Sequence, residues 1–256
     1  MAARSLSLLL LLVCAPSARA EWKILSCATE ANGPAGVVHL RTITEDAEIG
    51  EHAELHLAAF HSRTATLRVI DRPKYPEADL AQVMRAERCI AGVNGGYFDA
   101  ANEPIGLRIN DGRMIAPLRR ARLLSGMMLA SDGRVQLLRV AEYNPKRKAI
   151  AALQCGPFLV DGGKPVAGLD PTRSARRTFI LAGGADRAAI GICSEVTLAQ
   201  LGEILAAPGV AGELKVQRAL NLDGGSSSGF WFVGEHGGFS ISEEKSVRDF
   251  VAVVAK

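Results

Sequence analysis

The chain has 256 residues, 48% of them hydrophobic, and a formal net charge of +3. That balance suits a globular protein with a substantial core. No broad basic excess points to nucleic acid, so a nucleic-acid-binding role is excluded as the main function.

The first twenty residues, "MAARSLSLLLLLVCAPSARA", read as a secretory leader. Arg4 supplies the positive start, Leu6 to Val13 the apolar run, and Ala18-Arg19-Ala20 the small-x-small cleavage site. Cys14 raises a lipoprotein alternative, but bulky Val13 stands where a small residue belongs, so cleavage after Ala20 is the expectation. The run is too short for a permanent anchor, and no later stretch is long and apolar enough to span a bilayer. The expected place of action is therefore the periplasm or the extracellular space, without stable membrane insertion. Four cysteines follow the leader: Cys27, Cys89, Cys155 and Cys193. An even count in an oxidising compartment favours disulfides, with structural buried thiols as the other reading. None lies in a Cys-x-x-Cys pair, which leaves a zinc or redox site unsupported.

Between residues 36 and 70, "VVHLRTI", "AELHLAAF" and "TATLRVI" alternate as half-buried strands do. "PEADLAQVMRAERC" then takes helical spacing, with Leu80, Val83 and Met84 on one face and Pro76 near the start. "IAGVNGGYFD" is a short strand running into an Asn-Gly-Gly turn. Short strands return from 105 to 140, with hairpin signals at Asp111-Gly112 and Asp132-Gly133. More strands are expected over 150–160 and 178–193. A second helix starts at Thr197, where Gln200 completes a capping box, and stops at Pro208-Gly209. "RALNLDGGSSS" repeats the strand-to-glycine arrangement, and "FWFVG" and "DFVAVVA" read as closing strands. With no regular βαβ alternation, no repeat and no linker, the expectation is one α+β domain over residues 21–256. It would have a large, mostly antiparallel sheet system and two or three helices.

Two turns stand out, Asn94-Gly95-Gly96 and Asn221-Leu222-Asp223-Gly224-Gly225. Glycines leave room for a ligand to approach the backbone, and free amides there can hold an anion. Beside the second turn stand Ser226, Ser227 and the aromatic run Phe230-Trp231-Phe232. Hydroxyls, a carboxylate and aromatic faces suit a sugar. "TRSARRT" brings Arg173, Arg176 and Arg177, and "LRRAR" brings Arg119, Arg120 and Arg122. Arginine forks bind phosphate, although such runs are usually solvated loops. Arg177 and Arg248 each stand at the start of an apolar strand. Walker, dinucleotide-binding and Gly-x-Ser-x-Gly motifs are absent. The five histidines (His39, His52, His56, His61, His236) show no metal spacing and read as core or surface residues.

"GVNGGYFD", "PIGLRINDGR", "CGPFLVDGGK", "ARRT" and "LNLDGGSSS", in that order, resemble the phosphodiester glycosidase family from about residue 35 to the C-terminus. The resemblance implies hydrolysis of a sugar-1-phosphodiester, with a carbohydrate or sugar-phosphate partner. Asp223 would then stabilise an oxocarbenium-like state as nucleophile, base or electrostatic partner, and Arg177 would stabilise the departing phosphate ester, with Arg248 second. Asn94 joins Asp223 and Arg177 as a catalytic candidate. Gly95, Gly96, Asp99, Asn221, Gly224, Gly225, Ser226, Ser227 and Arg248 are the substrate-binding candidates. No metal site or cofactor is predicted, and a divalent cation held by Asp223 and loop carbonyls stays open. The alternative is a non-catalytic envelope protein that binds glycans or glycan phosphates through the same residues.

Overall fold

The computed structural model describes residues 21–72, 79–131, 133–184, 186–235 and 237–256. The leader, Pro76, Asp132 and His236 therefore lie outside the described residues. The strands begin with β1 (Trp22–Asn32), β2 (Val38–Asp46), β3 (His52–His61) and β4 (Ala65–Asp71), followed by helix α1 (Leu80–Ala86) and β5 (Ala91–Asn94). Shorter strands come next: β6 (Arg108–Asn110), β7 (Arg113–Ala116), β8 (Gly126–Ser131), β9 (Arg134–Arg139), β10 (Ala151–Cys155), β11 (Phe158–Asp161) and β12 (Lys164–Pro165). The chain closes through β13 (Ala175–Gly183), β14 (Arg187–Val196), α2 (Leu198–Ala206), β15 (Val216–Asn221), β16 (Phe230–Gly234), β17 (Gly237–Ile241) and β18 (Asp249–Ala255).

These strands form three sheets. The largest runs β1-β2-β3-β14-β13-β15-β11-β12, the second β7-β6-β10-β8-β9, and the third β17-β16-β5-β18-β4. Every named pairing is antiparallel. The expected α+β class is corrected by this count: 51% of the described residues are strand and 11% helix, so the protein is predominantly β. The strands within each sheet cover one another's backbone groups, and the sheets cover one another's faces. The two α-helices among the described residues are short and sit on the outside of that arrangement.

Local chemistry explains the elements. Asp79 caps α1 by accepting from the Gln82 N–H at 2.6 Å, and Leu80, Val83 and Met84 form its buried face. Thr197 and Gln200 cap α2 reciprocally, as its sequence requires. Asp111 and Gly112 both take positive φ, 47° and 77°, and join β6 to β7 in a two-residue hairpin. Alternation along β13 sends Ile180 to one core and Phe179 and Leu181 to another. The first core draws on all three sheets, including Phe158, Leu153, Phe230 and Val251. The second packs α2 (Leu201, Ile204, Leu205) on the outer face of the large sheet. The third seats α1 against Trp231 and Phe250.

The disulfide expectation is also corrected. All four cysteines are free, with Cys89, Cys155 and Cys193 buried. Cys155 and Cys89 belong to cores other than that of Cys193. Cys27 shares the second core with Cys193, but the register runs Cys27, Thr42, Leu55, Cys193 across four strands. Three strand spacings put those two residues ~14 Å apart, beyond disulfide reach. Burial pushes the Cys155 and Cys193 thiols up to about 12 and Cys89 up to about 11, so they are inert core groups.

Candidate active site

The three sheets converge at one place. β5 ends there at Asn94, β15 ends at Asn221, β10 ends at Cys155, β6 begins at Arg108 and β18 begins at Asp249. Asp223 sits at the centre of that junction. Its backbone N–H donates to Gly95 O at 3.1 Å, and Asn94 Nδ2 donates to Asp223 O at 2.8 Å. The two glycine turns singled out in the sequence, 129 residues apart, are thus bonded to each other.

The Asp223 carboxylate is half-buried. Its Oδ1 accepts from the Gly224 N–H at 2.9 Å, and the Ser227 hydroxyl also bonds it. Burial raises its pKa, with the nearby Asp249 charge acting the same way; the Ser227 and Gly224 bonds and Arg108 oppose the rise. Gly225, at φ 65°, makes the turn that brings Ser227 back over the carboxylate. Ser226 takes a different part, its carbonyl accepting from Glu244 and Lys245 N–H groups at 2.7 and 3.1 Å.

Asn94 is 1% exposed, and both ends of its amide are engaged. Besides donating to Asp223 O, it accepts at Oδ1 from the Thr178 hydroxyl at 2.7 Å and the Gly229 N–H at 3.2 Å. Asn94 therefore positions the Asp223 turn. Asn221 Nδ2 donates to Tyr97 Oη at 3.2 Å and to Gly156 O at 3.1 Å, while its buried Oδ1 has no partner among the described residues. Tyr97 Oη donates to Gly156 O at 2.7 Å. Burial holds its phenol far above the ordinary tyrosine range.

Arg177 enters from β13. Leu222 N–H donates to Thr178 O at 2.8 Å, so the residue before Thr178 lies beside the start of the Asp223 turn. Arg177 is 8% exposed. Its Nε donates to Val196 O at 2.9 Å and one Nη to Arg173 O; the other, Nη1, has no partner among the described residues. Burial lowers its pKa, and neighbouring Arg173 adds to that.

Four sequence candidates have other work. Gly95 and Gly96 do not make room for a ligand. A Cβ on Gly95 would lie 1.8 Å from Asp249 Oδ1, and one on Gly96 1.9 Å from Arg108 Nη2. Their N–H groups donate to Asp249 O and Oδ1, both at 2.8 Å. Arg248 is 4% exposed and gripped by Asp71 at 2.8 and 3.3 Å, with Asn102 O as a further acceptor. Asp99 is exposed and closes its own loop, accepting from Ala101 and Glu103 N–H groups at 2.9 Å each.

Sequence reasoning missed Arg108, Asp249 and Tyr97. Arg108 Nε donates to Asp249 Oδ2 at 2.8 Å, and the Arg108 Nη groups donate to carbonyls of Leu107, Gln154 and Tyr97. A signal existed: Leu107-Arg108-Ile109 places a charge inside an apolar strand, which demands a buried counterion. The four described histidines do not enter the site. His39 and His56 contact each other at 2.9 Å in the sheet interior. Among the described residues no group of three or more His, Cys, Asp or Glu side chains is placed to hold a metal ion.

Comparison with known proteins follows the same lines. No curated protein matches the chain in sequence. Among solved structures it is similar to the zebrafish N-acetylglucosamine-1-phosphodiester alpha-N-acetylglucosaminidase catalytic domain auto-inhibited by its pro-peptide. That likeness has a TM-score of 0.66 at 14% identity, covering 92% of this chain and 89% of that one. A hypothetical protein from Synechocystis matches with a TM-score of 0.65 at 12% identity, over 92% of this chain and 68% of that one. At such identities these likenesses speak to the fold. The profile of the phosphodiester glycosidase family matches residues 87–254, a span that holds Asn94, Arg108, Arg177, Asp223 and Asp249. With more than half of its length so matched, the chain belongs to the phosphodiester glycosidase family.

Proposed function

We propose that the protein hydrolyses a sugar-1-phosphodiester, releasing the sugar from a phosphorylated partner. The observation that carries this reading is the half-buried Asp223 carboxylate at the sheet junction, with Tyr97 close enough to feel the charges of both Asp223 and Arg177. Breaking the C1–O bond leaves a phosphate ester anion, which is already weakly basic. It needs charge stabilisation more than a proton, and a desolvated guanidinium supplies that. The positive charge that develops on the sugar ring is met by Asp223, whether as nucleophile or by activating water. Asn94, through Asp223 O, and Ser227, through the carboxylate, hold that group in place. The orphan Oδ1 of Asn221 is an acceptor for a sugar hydroxyl. The leader-like first twenty residues support action outside the cytoplasm, on envelope or extracellular glycans.

The test is sugar release from a panel of sugar-1-phosphodiesters, comparing wild type with Asp223→Asn. Release by the wild type, reduced ~10²–10⁴-fold in the folded variant, is expected. Equal binding of sugar phosphate by both, with no release by either, would replace hydrolysis with glycan binding.

A further inference from the structure

The arginine run of "LRRAR" finds no place in the chemistry above, yet it borders a built groove. The segment between β7 and β8 is pinned by a fully buried glutamine in β10. Gln154 Oε1 accepts from Arg119 N at 3.0 Å, while Nε2 donates to Arg119 O at 2.6 Å and Leu124 O at 3.2 Å. Between this segment and the chain after β9 lies a groove of about 970 Å³. Leu107 and Leu124 contribute its buried lining, and Met114, Leu118, Val140 and Tyr143 its sides. Met114 and Leu118 are 58% and 37% exposed, large apolar side chains left in water. Arg120 and Arg122 line the same groove and are exposed, and neither has an ion-pair partner among the described residues.

Gly156 packs between the groove wall and the junction. Leu123 O and Ser125 N press on Gly156 so closely that a Cβ there would lie 2.2 and 2.9 Å from them. The carbonyl of the same Gly156 accepts from Tyr97 Oη and Asn221 Nδ2, next to Asp223. One residue thus separates the groove wall from the site.

We infer that this groove binds the aglycone of the substrate, and that the aglycone is a single long apolar chain carried on the phosphate. This rests on the phosphodiester glycosidase reading. Unpaired guanidinium groups at the edge of an apolar trough match a phosphate joined to a hydrocarbon. The apolar side chains line a concave trough with walls on both sides, the shape for one inserted chain, whereas a bilayer presents a plane.

The experiment compares methyl and dodecyl esters of N-acetylglucosamine-1-phosphate, with dodecyl phosphate binding measured below its micelle concentration. The dodecyl ester should be cleaved with a kcat/KM at least about tenfold higher. Leu118→Gln and the double change Arg120→Gln/Arg122→Gln should each narrow that gap, through KM, and weaken dodecyl phosphate binding about tenfold or more. Both changes are at exposed positions, and unchanged melting would show that the fold is kept. Equal use of the two esters would overturn the inference and leave the glycosidase reading standing. Cleavage of neither, with dodecyl phosphate bound by the wild type and lost in the variants, would sink the glycosidase reading and keep the apolar-phosphate groove. Binding to phosphatidylglycerol vesicles without binding to monomeric dodecyl phosphate would overturn the inference in favour of a membrane-facing surface. Binding to neither would overturn it outright.

Discussion

Arg108 and Asp249 form an ion pair at 2.8 Å with 1% and 0% of their side chains exposed, directly beneath Gly95 and Gly96. The pair joins the start of β6 in the second sheet to the start of β18 in the third. Through the Gly95 and Gly96 amides it also fixes the turn that bonds Asp223. Its role is architectural. Removing one partner strands a buried charge, so Asp249→Ala should cost ~3–5 kcal/mol. In a chain of this size each kcal/mol lowers Tm by ~2–4 °C. Denaturant unfolding of Asp249→Ala, Arg108→Met and the double variant checks this, and the double loss should be clearly smaller than the sum of the single losses. Strict additivity would count against the coupling.

The glycine turns should respond differently to alanine. Gly95→Ala and Gly96→Ala drive a methyl group into the buried ion pair and should lose at least ~1–3 kcal/mol of stability. Gly225→Ala meets open space but must adopt φ near 65°, which costs ~1–2 kcal/mol and disturbs Ser227 over the carboxylate. Melting curves separate the cases. A Gly96→Ala protein of unchanged Tm with a raised KM would restore the ligand-approach role that the sequence suggested.

The pH dependence follows from Asp223. Its folded pKa is raised, chiefly by burial, so the acid limb of kcat/KM should lie above the ordinary aspartate range. Ser227→Ala removes a bond that favours the ionised form, so the limb should move further up. Movement downward would contradict the assignment. Stability carries the opposite sign from that of a salt-bridged carboxylate. Ionising Asp223 costs stability, a cost absent below the unfolded pKa of about 3.9 and fully present above the raised folded pKa. Asp223→Asn should therefore melt higher than wild type at neutral pH, with the difference closing at acidic pH.

The two arginines at strand starts should separate by what they change. Arg177→Met removes the guanidinium whose Nη1 is open and should lower kcat/KM ~10²–10³-fold. Arg248→Met leaves Asp71 without its partner and should cost ~3–5 kcal/mol of stability, with a smaller effect on turnover. Kinetics and unfolding of the two variants, measured side by side, decide it. A larger kinetic loss for Arg248→Met would return that residue to the site.

What the sequence by itself determined is local and periodic. Alternation located the strands from β2 to β4, short apolar runs the closing β16 and β18, and the Thr197–Gln200 capping box α2. The motif order carried the family, because "NGG" and "NLDGG" lie in the span that the family profile matches. What only the tertiary structure decided is how distant segments meet. Asn94 and Asn221 were legible as turn residues, but that the two turns bond each other is a contact across 129 residues. The glycines' purpose reversed because their neighbours, Arg108 and Asp249, come from two other strands. Asp71, far off in sequence, holds Arg248 in a buried ion pair that its place before a strand does not announce. The four cysteines stayed unpaired because strand order and separate cores hold them apart, a distance their count does not contain. Periodicity reports which face of a strand is buried, and burial alone does not name the partner. In an antiparallel fold of three sheets that partner is set by long-range register, which only the folded chain expresses.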